Sequence, residues 1–344
     1  MVQKSFGQTK KGEKTSLYIF TNKNGMTMAV SDFGATLQSL CVPDKNGTLL
    51  DVVLGYDDPS EYEGNSLPFF GATIGRNANR IGGGAFLLNG KRYELTKNDG
   101  ANCLHSGTDF YSFRLWKVSE TTENSITFAL HSPDGDQGFP GALDVKVKYI
   151  LTDENEVKIE YNAMPEADTV INLTNHSYFN LNGHDSGNVL DHEVWIDADS
   201  YTRANKESIP TGEIVPVENT PMDFRVKKAI GRDIGAEYEA LIFGNGYDHN
   251  WCLNNNGQLA KLAEASSAKS GISMEVYTDL PGVQMYTGNF ISKEYGKSGV
   301  VYENRQGVCF ETQYYPDAVN HDNFPSPIFK KGEMYHTVTI YKFV

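Results

Sequence analysis

The sequence predicts an all-β fold, a large antiparallel β-sandwich with few and short helices. Apolar and polar residues alternate over short segments, for example at 145–150, 157–161 and 336–343, and a period of two is typical of half-buried strands. Such segments recur at intervals of roughly 8–12 residues with turn formers between them, as in β-sandwiches. Because no repeat, flexible linker or change in composition marks a boundary, we expect one domain over residues 1–344.

Two hairpins support this fold class. Asn24-Gly25 separates the strand-like segments 17–20 and 26–30, and Asn89-Gly90 separates 86–88 and 92–95. An Asn-Gly pair between apolar runs predicts a tight hairpin with a type I′ turn, because both turn residues tolerate positive φ. Further strands are predicted at 49–54 and 125–131.

Helical signals are few. Residues 58–63 are expected to form one helical turn and 233–243 a short helix. Segment 259–268 is rich in Ala, Leu, Lys and Glu, which favours helix by propensity. Its neighbours and the turn formers at 266–271 fit a hairpin better, so we predict a strand there.

Composition excludes several classes of partner. The 344 residues contain 30 Lys and Arg against 44 Asp and Glu, a net charge of −14. This balance argues against nucleic acid and anionic membranes, which call for basic surfaces, and is compatible with an uncharged small molecule. The N-terminus has no apolar signal region, and the four scattered cysteines lack a CxxC pair. We therefore expect a cytoplasmic protein with reduced thiols.

The stretch 307–325, GVCFETQYYPDAVNHDNFP, is the first candidate for chemistry. Its apolar start predicts a sheltered strand, and alternation places Glu311 and Gln313 on one face. Burial raises the pKa of a carboxyl group and makes its anion a better base. Taken alone, the pattern favours a structural ion pair between Glu311 and an arginine over a catalytic base.

Two glycine-rich or polar loops add further candidates. Segment 71–84, GATIGRNANRIGGG, lacks the features of a phosphate loop, and its Asn79 and Arg80 could donate to sugar oxygens. Arg76 could equally tie loop carbonyls together. His105, in NCLHSG, is by default a structural histidine.

Two strand-like segments are unusually polar. In NLTNHSYFNLNG (172–183), alternation places His176 and Tyr178 on one face, and a histidine suits proton transfer near neutral pH. In GYDHNW, Asp248 and His249 must point to opposite faces, so only one of them can reach a shared site. The histidines lack the spacing of a metal site, and no GxSxG elbow indicates a serine hydrolase.

These segments together resemble the aldose 1-epimerase (galactose mutarotase) family. The resemblance is carried, in order, by GATIGRNANRI, LH, SPDGDQGFPG, NLTNHSYFNLNG, TPMDFR, GYDHNW, TDLPGVQMYTGN and ETQYYPDAVNHDNFP. It covers most of the chain and implies the many-stranded supersandwich of galactose mutarotases. One departure is Ser106, which stands where the family often has the first Gly of LHGG.

The resemblance also implies roles for individual residues. Glu311 corresponds to the family's catalytic base and His176 to its catalytic acid. The positions that hold the sugar are Asn79, Arg80, His105, Tyr178, Asp248 and Gln284. No metal or other cofactor is implied, and the partner is a free monosaccharide; the oligomeric state is not readable, with a monomer as the default.

The implied reaction interconverts the α and β anomers of free aldoses such as D-galactose and D-glucose, by base- and acid-assisted ring opening and reclosure. Three alternatives stay open at this point. They are a hexose-6-phosphate 1-epimerase, a non-catalytic carbohydrate-binding protein on the same fold, and a glycoside hydrolase that pairs Glu311 with Asp248. Gln313 is expected to be a structural neighbour of Glu311.

Overall fold

The computed structural model describes residues 1–64 and 68–344, and thirty strands and two short α-helices lie in this part of the chain. The strands of the first half are β1 (Val2–Gln8), β2 (Lys14–Thr21), β3 (Thr27–Ser31), β4 (Thr36–Pro43), β5 (Leu49–Asp51), β6 (Thr73–Ile74), β7 (Arg80–Ile81), β8 (Ala85–Leu88), β9 (Lys91–Glu94), β10 (Cys103–Leu104), β11 (Lys117–Thr121), β12 (Ser125–Ser132), β13 (Leu143–Leu151), β14 (Glu156–Pro165) and β15 (Thr169–Val170). Those of the second half are β16 (Thr174–Asn175), β17 (Tyr178–Phe179), β18 (Glu193–Ile196), β19 (Ser200–Ala204), β20 (Pro210–Pro216), β21 (Lys228–Ala229), β22 (Asp248–Cys252), β23 (Ala260–Ser266), β24 (Ser273–Thr278), β25 (Gly282–Tyr286), β26 (Glu294–Tyr295), β27 (Val301–Tyr302), β28 (Val308–Gln313), β29 (Ile328–Phe329) and β30 (Tyr335–Phe343). The helices are α1 (Pro59–Tyr62) and α2 (Glu239–Gly244).

Three sheets form the body of the molecule. A five-stranded sheet runs β1-β2-β3-β4-β5, a nine-stranded sheet runs β11-β12-β13-β14-β30-β24-β23-β18-β21, and a six-stranded sheet runs β17-β28-β25-β22-β19-β20. The ladders within these three sheets are antiparallel. The all-β prediction is confirmed, and so is the strand predicted at 259–268, which is β23.

The core lies between the sheets. The largest hydrophobic cluster combines Leu40 of the five-stranded sheet, Val147 of the nine-stranded sheet and Phe310 of the six-stranded sheet, all fully buried. The Tyr341 hydroxyl donates to the Phe310 carbonyl at 2.9 Å and links the two larger sheets directly. The opposite face of the six-stranded sheet is therefore free to carry polar groups.

The two predicted hairpins form, but their turns differ. At Asn89-Gly90 both residues have positive φ, 52° and 75°, as a type I′ turn requires. At the first hairpin only Gly25 does, with φ of 84°, so the type I′ prediction is wrong there. The Asn22 side chain accepts from the backbone N–H groups of Asn24 and Met26 and thereby stabilises a longer loop.

The helical predictions hold in part. Helix α1 lies within 58–63, and Asp58 caps it in a capping box with Glu61. Of the helix expected at 233–243, only α2, Glu239–Gly244, forms. The preceding residues lie in turns, where the Lys228 ammonium donates to the Asp233 carboxylate at 2.7 Å. In the described part of the chain, no helix has the length and apolar character needed to cross a membrane.

Candidate active site

The eight residues predicted for the site surround one cavity of about 280 Å³. These residues are Asn79, Arg80, His105, His176, Tyr178, Asp248, Gln284 and Glu311. They come from segments spread over residues 79–311, so the fold brings together groups that the sequence could place only one by one.

The floor of the cavity is one face of the six-stranded sheet. The antiparallel register sets Gln284 of β25 opposite both Asn250 of β22 and Glu311 of β28. One row further along, Asp248, Tyr286, Cys309 and Tyr178 are aligned across four strands. Because successive side chains point to opposite faces, these polar groups share one face while Val283 and Phe310 enter the core.

Glu311 and His176 form the centre of this floor. His176 Nε2 lies 3.6 Å from Glu311 Oε1, and the two residues are 5% and 2% exposed. Burial raises the pKa of the Glu311 carboxyl well above its usual range, and the charge of Asp248 raises it further, whereas Arg80 acts in the opposite direction. Burial lowers the pKa of His176 to about 3. The surroundings therefore favour the uncharged form of both groups.

Aromatic rings hold the His176 imidazole in place. The Tyr178 ring stacks on it with centroids 5.1 Å apart, and the Phe69 ring stacks at 5.9 Å. The other ring nitrogen, Nδ1, contacts the Cys309 thiol at 3.6 Å. His176 thus faces Glu311 with one nitrogen and a buried thiol with the other.

A second wall is built by the loop that carries Asn79 and Arg80. The Asn79 backbone N–H donates to His105 Nδ1 at 3.1 Å. Since Nδ1 accepts, the neutral imidazole carries its proton on Nε2 and can donate from there. Burial, and next the charges of His176 and Arg80, lower the pKa of His105 well below its usual value. Arg80 Nε donates to Asp99 Oδ2 at 2.7 Å.

Ser106 stabilises the contact between these two loops. Its hydroxyl accepts from the Asn77 N–H at 2.7 Å and lies 3.1 Å from the Asn77 carbonyl, to which it donates. The residue has φ of 75°, a conformation that favours glycine. At this position a serine has a less favourable backbone conformation than a glycine would have, but its hydroxyl makes two hydrogen bonds that a glycine could not make.

Two neighbours have structural surroundings, as the sequence suggested. Arg76 is 1% exposed and donates to the carbonyls of Pro140 and Gly141 and to the Ser132 hydroxyl. Gln313 is fully buried on the same side of the sheet as Glu311, behind the residues that line the cavity.

Among the described residues, one group of side chains with metal-ligand chemistry lies at the floor of the cavity, although Cys309 is not among the lining residues. The ligand atoms of His176, Cys309 and Glu311 lie within 4.8 Å of one another. However, Cys309 contacts Nδ1 and Glu311 contacts Nε2, which are on different edges of the ring. A single ion can bind only one of these nitrogens.

The sequence interpretation missed part of the cavity wall. Pro68, Phe69, Leu104, Tyr286, Phe290, Ile291 and Glu294 also line it. Tyr286 could have been found, because it lies two residues after Gln284 on the same strand and therefore on the same face. Phe69 has no such signal: its position depends on a backbone with φ of 58° at that residue.

Comparison with known proteins identifies the family. The family model described as "Aldose 1-epimerase" matches residues 16–342. Galactose mutarotase from Bos taurus is 42% identical, with 98% of this chain and 97% of the relative covered. Aldose 1-epimerase from Haemophilus influenzae is 39% identical, with 96% of both chains covered.

Solved structures agree with the sequence relatives. The GalM/aldose epimerase homologue from C. elegans superposes with a TM-score of 0.88 at 31% identity, covering 96% of this chain and 99% of that one. Galactose 1-epimerase from Lactobacillus acidophilus gives a TM-score of 0.86 at 26% identity, covering 100% and 98%. The chain therefore belongs to the aldose 1-epimerase family.

Proposed function

We propose that this aldose 1-epimerase interconverts the α and β anomers of free aldoses, with Glu311 as the base and His176 as the acid. The observation that carries the proposal is the buried carboxyl–imidazole pair, 3.6 Å apart, on the floor of a cavity lined with side chains that can donate or accept hydrogen bonds. D-Galactose and D-glucose are the proposed substrates.

The pair supplies both protons that ring opening needs. Glu311 takes the proton of the anomeric hydroxyl while His176 gives a proton to the ring oxygen, and the bond between C1 and the ring oxygen breaks. The aldehyde turns about C1–C2, and closure returns each proton along the same route. In the resting cavity the pair is carboxylic acid and imidazole. One proton passes from Glu311 to His176 to give the reacting carboxylate and imidazolium, and ring opening returns the pair to carboxylic acid and imidazole, so the total number of protons is unchanged.

The buried setting favours the intermediate in this reaction. Ring opening discharges both groups, and burial destabilises the charged form of each, raising the pKa of Glu311 and lowering that of His176. The same surroundings that make Glu311 a strong base therefore stabilise the state in which the sugar is open. Each positioned proton-transfer group typically contributes about 10²- to 10⁴-fold.

The remaining site residues are proposed to hold the sugar. His105 donates from Nε2, Asn79 and Arg80 donate from the loop, and Asp248 accepts from a hydroxyl. Arg80 also stabilises negative charge that develops at a sugar oxygen. Tyr178 holds the His176 ring by stacking.

The rival functions fit the cavity less well. A phosphorylated hexose calls for a cluster of cations, whereas Arg80 is the one Lys or Arg among the residues found to line the cavity, and it is already paired with Asp99. A protein that only binds sugar has no use for a buried, uncharged Glu–His pair. We also propose that the chain forms one domain, because the family model matches residues 16–342 without a break. The four free cysteine thiols support a reducing compartment such as the cytoplasm.

Polarimetry tests the proposal. Optical rotation is followed over time, with and without the protein, for four freshly dissolved compounds: α-D-galactose, α-D-glucose, D-glucose 6-phosphate and methyl α-D-galactoside. We expect faster decay of optical rotation with the free aldoses, a weaker effect with the phosphate, and none with the glycoside, which cannot open. Absence of acceleration with any free aldose would refute the proposal, and rotation change with the glycoside would indicate a hydrolase.

A further inference from the structure

A chain of three buried amides runs from the interior of the six-stranded sheet to the cavity. Gln313 Nε2 lies 3.3 Å from both Asn250 Oδ1 and Gln284 Oε1, and Gln284 Nε2 lies 2.7 Å from Asp248 Oδ1. Gln284 and Asp248 line the cavity, whereas Gln313 and Asn250 are behind it. The two inner amides are 0% and 2% exposed.

The register of the strands makes room for this chain. Gln313 of β28 is opposite Gly282 of β25, and Gly282 is opposite Cys252 of β22. A Cβ atom at Gly282 would lie 2.4 Å from Asn250 Oδ1. The glycine therefore leaves the space through which the Gln313 and Asn250 side chains reach each other.

Asp248 determines the direction of every hydrogen bond in the chain. An ionised carboxylate can only accept, so Gln284 must present its NH₂ group to Asp248. Its Oε1 then faces inward and needs a donor, which Gln313 Nε2 supplies. If the Gln284 amide were reversed, two acceptor oxygens would face each other at Asp248 and two NH₂ groups at Gln313.

This direction matters for a sugar hydroxyl at Asp248. A hydroxyl is both donor and acceptor, and the pair offers it both partners: a carboxylate oxygen to accept its proton and the second N–H of Gln284 to donate to its oxygen. Gln313 keeps this N–H in place. Asn250 Nδ2 and Gln313 Oε1 have no hydrogen-bond partner within the described part of the chain, and two unpaired buried groups cost free energy.

We propose that Gln313 is a positioning residue for sugar recognition, which acts through Gln284 on the single hydroxyl bound at Asp248. The inference rests on the proposed function, since it assumes that a sugar occupies the cavity. It replaces the expectation that Gln313 is only a structural neighbour of Glu311. Asn250 belongs to the same chain as the inner acceptor.

The test combines Gln313→Met with a set of deoxy sugars. Initial rates are measured by polarimetry for D-galactose and for its 2-, 3-, 4- and 6-deoxy forms. We expect Gln313→Met to raise KM for galactose about 3- to 10-fold, the value of one hydrogen bond, with kcat within about threefold. For the one deoxy sugar that lacks the hydroxyl at Asp248, KM should be the same in variant and wild type.

Gln38→Met is the matched control. Gln38 is also a buried amide, 6% exposed, and donates to the Tyr56 carbonyl; neither Gln38 nor Tyr56 is among the residues found to line the cavity. Thermal unfolding should show that Gln38→Met loses about as much stability as Gln313→Met, but its KM should be unchanged for every sugar. An equal rise in KM for all sugars with Gln313→Met, or no rise, would overturn the inference.

Gln313→Glu provides a second test that does not depend on the folding of the first variant. An ionised carboxylate cannot donate to Gln284 Oε1, whereas the protonated acid can. The ratio of its KM to that of wild type should therefore fall as the pH is lowered, and a ratio independent of pH would contradict the inference. Inactivity of the wild type would instead refute the proposed function, so the two failures are distinguishable.

Discussion

The two faces of the six-stranded sheet are built from the same strands, but one packs into the hydrophobic core and the other forms the floor of the cavity. Phe310 points into the core and is fully buried among apolar side chains, while its neighbour Glu311 points into the cavity and is 2% exposed. Both side chains are removed from water. Burial of Phe310 stabilises the fold. Burial of Glu311 costs free energy, and in the proposed mechanism it makes the carboxylate a stronger base. The comparison teaches that exposure alone does not separate core from site.

The largest effect should come from the cavity face. Glu311→Gln keeps the shape of the side chain but removes the base, so we expect kcat to fall about 10²- to 10⁴-fold. The free energy of unfolding should stay the same or rise, because a buried ionisable group is replaced by a neutral amide. Polarimetry and urea unfolding measure the two quantities. A variant within tenfold of the wild-type rate would exclude Glu311 as the base.

The adjacent residue should show the opposite behaviour. Phe310→Ala removes a ring from the core and should lower the free energy of unfolding by about 3–5 kcal/mol. The kcat of the molecules that remain folded should be close to wild type, because the backbone of β28 is held by ladders on both sides. Loss of kcat without loss of stability would show that the two faces are not independent.

Stability at low pH should depend on one buried histidine on each face of the sheet. Burial lowers the pKa of His249, on the core face beside Trp251, to about 4, and that of His176 to about 3. Since the unfolded chain takes up protons near pH 6.5 and the folded form does not, stability is greatest above pH 6.5 and falls as the pH drops toward 4.

Each histidine should contribute a slope of up to about 1.4 kcal/mol per pH unit in that range. His249→Gln should flatten the slope without loss of kcat at neutral pH, while His176→Gln should flatten it and lose most activity. Urea unfolding at pH 7.5, 6.0 and 5.0 measures the slopes. Equal slopes in all three proteins would contradict the assignment of neutral buried histidines.

The smallest effect lies outside both faces, at Ser106. Ser106→Gly relieves the positive φ but loses the hydrogen bonds to Asn77, so the two contributions nearly cancel and the change in stability should be within about 1 kcal/mol. Ser106→Ala keeps the strain and loses the bonds, so it should be the less stable of the two. Thermal unfolding ranks the pair, and the reverse order would remove the hydroxyl from this role.

Alternation in the sequence predicted much of this sheet. It separated Asp248 from His249 and placed Glu311 and Gln313 on one face, because a strand repeats every two residues whatever its neighbours are. It could not predict that Gln313 reaches Gln284 and Asn250. That contact depends on the register of three strands that are distant in sequence and on the absence of a side chain at Gly282.

Local turn chemistry was a weaker guide for similar reasons. Asn89-Gly90 forms the expected turn because the paired strands end on either side of it. At Asn24-Gly25 the side chains of Asn22 and Asn24 instead reach the loop around Asp153 and Asn155. A tertiary contact more than a hundred residues away thus decides the turn.

The groups on the cavity floor belong to β22, β25 and β28, three neighbouring strands within one sheet. Their backbones are fixed by ladders on both sides, so Asp248, Gln284 and Glu311 cannot travel with a hinge or a closing lid. Exchange of anomers requires a half-turn about C1–C2 all the same. In this fold the substrate moves between the two half-reactions, while the side chains on the cavity floor keep their positions.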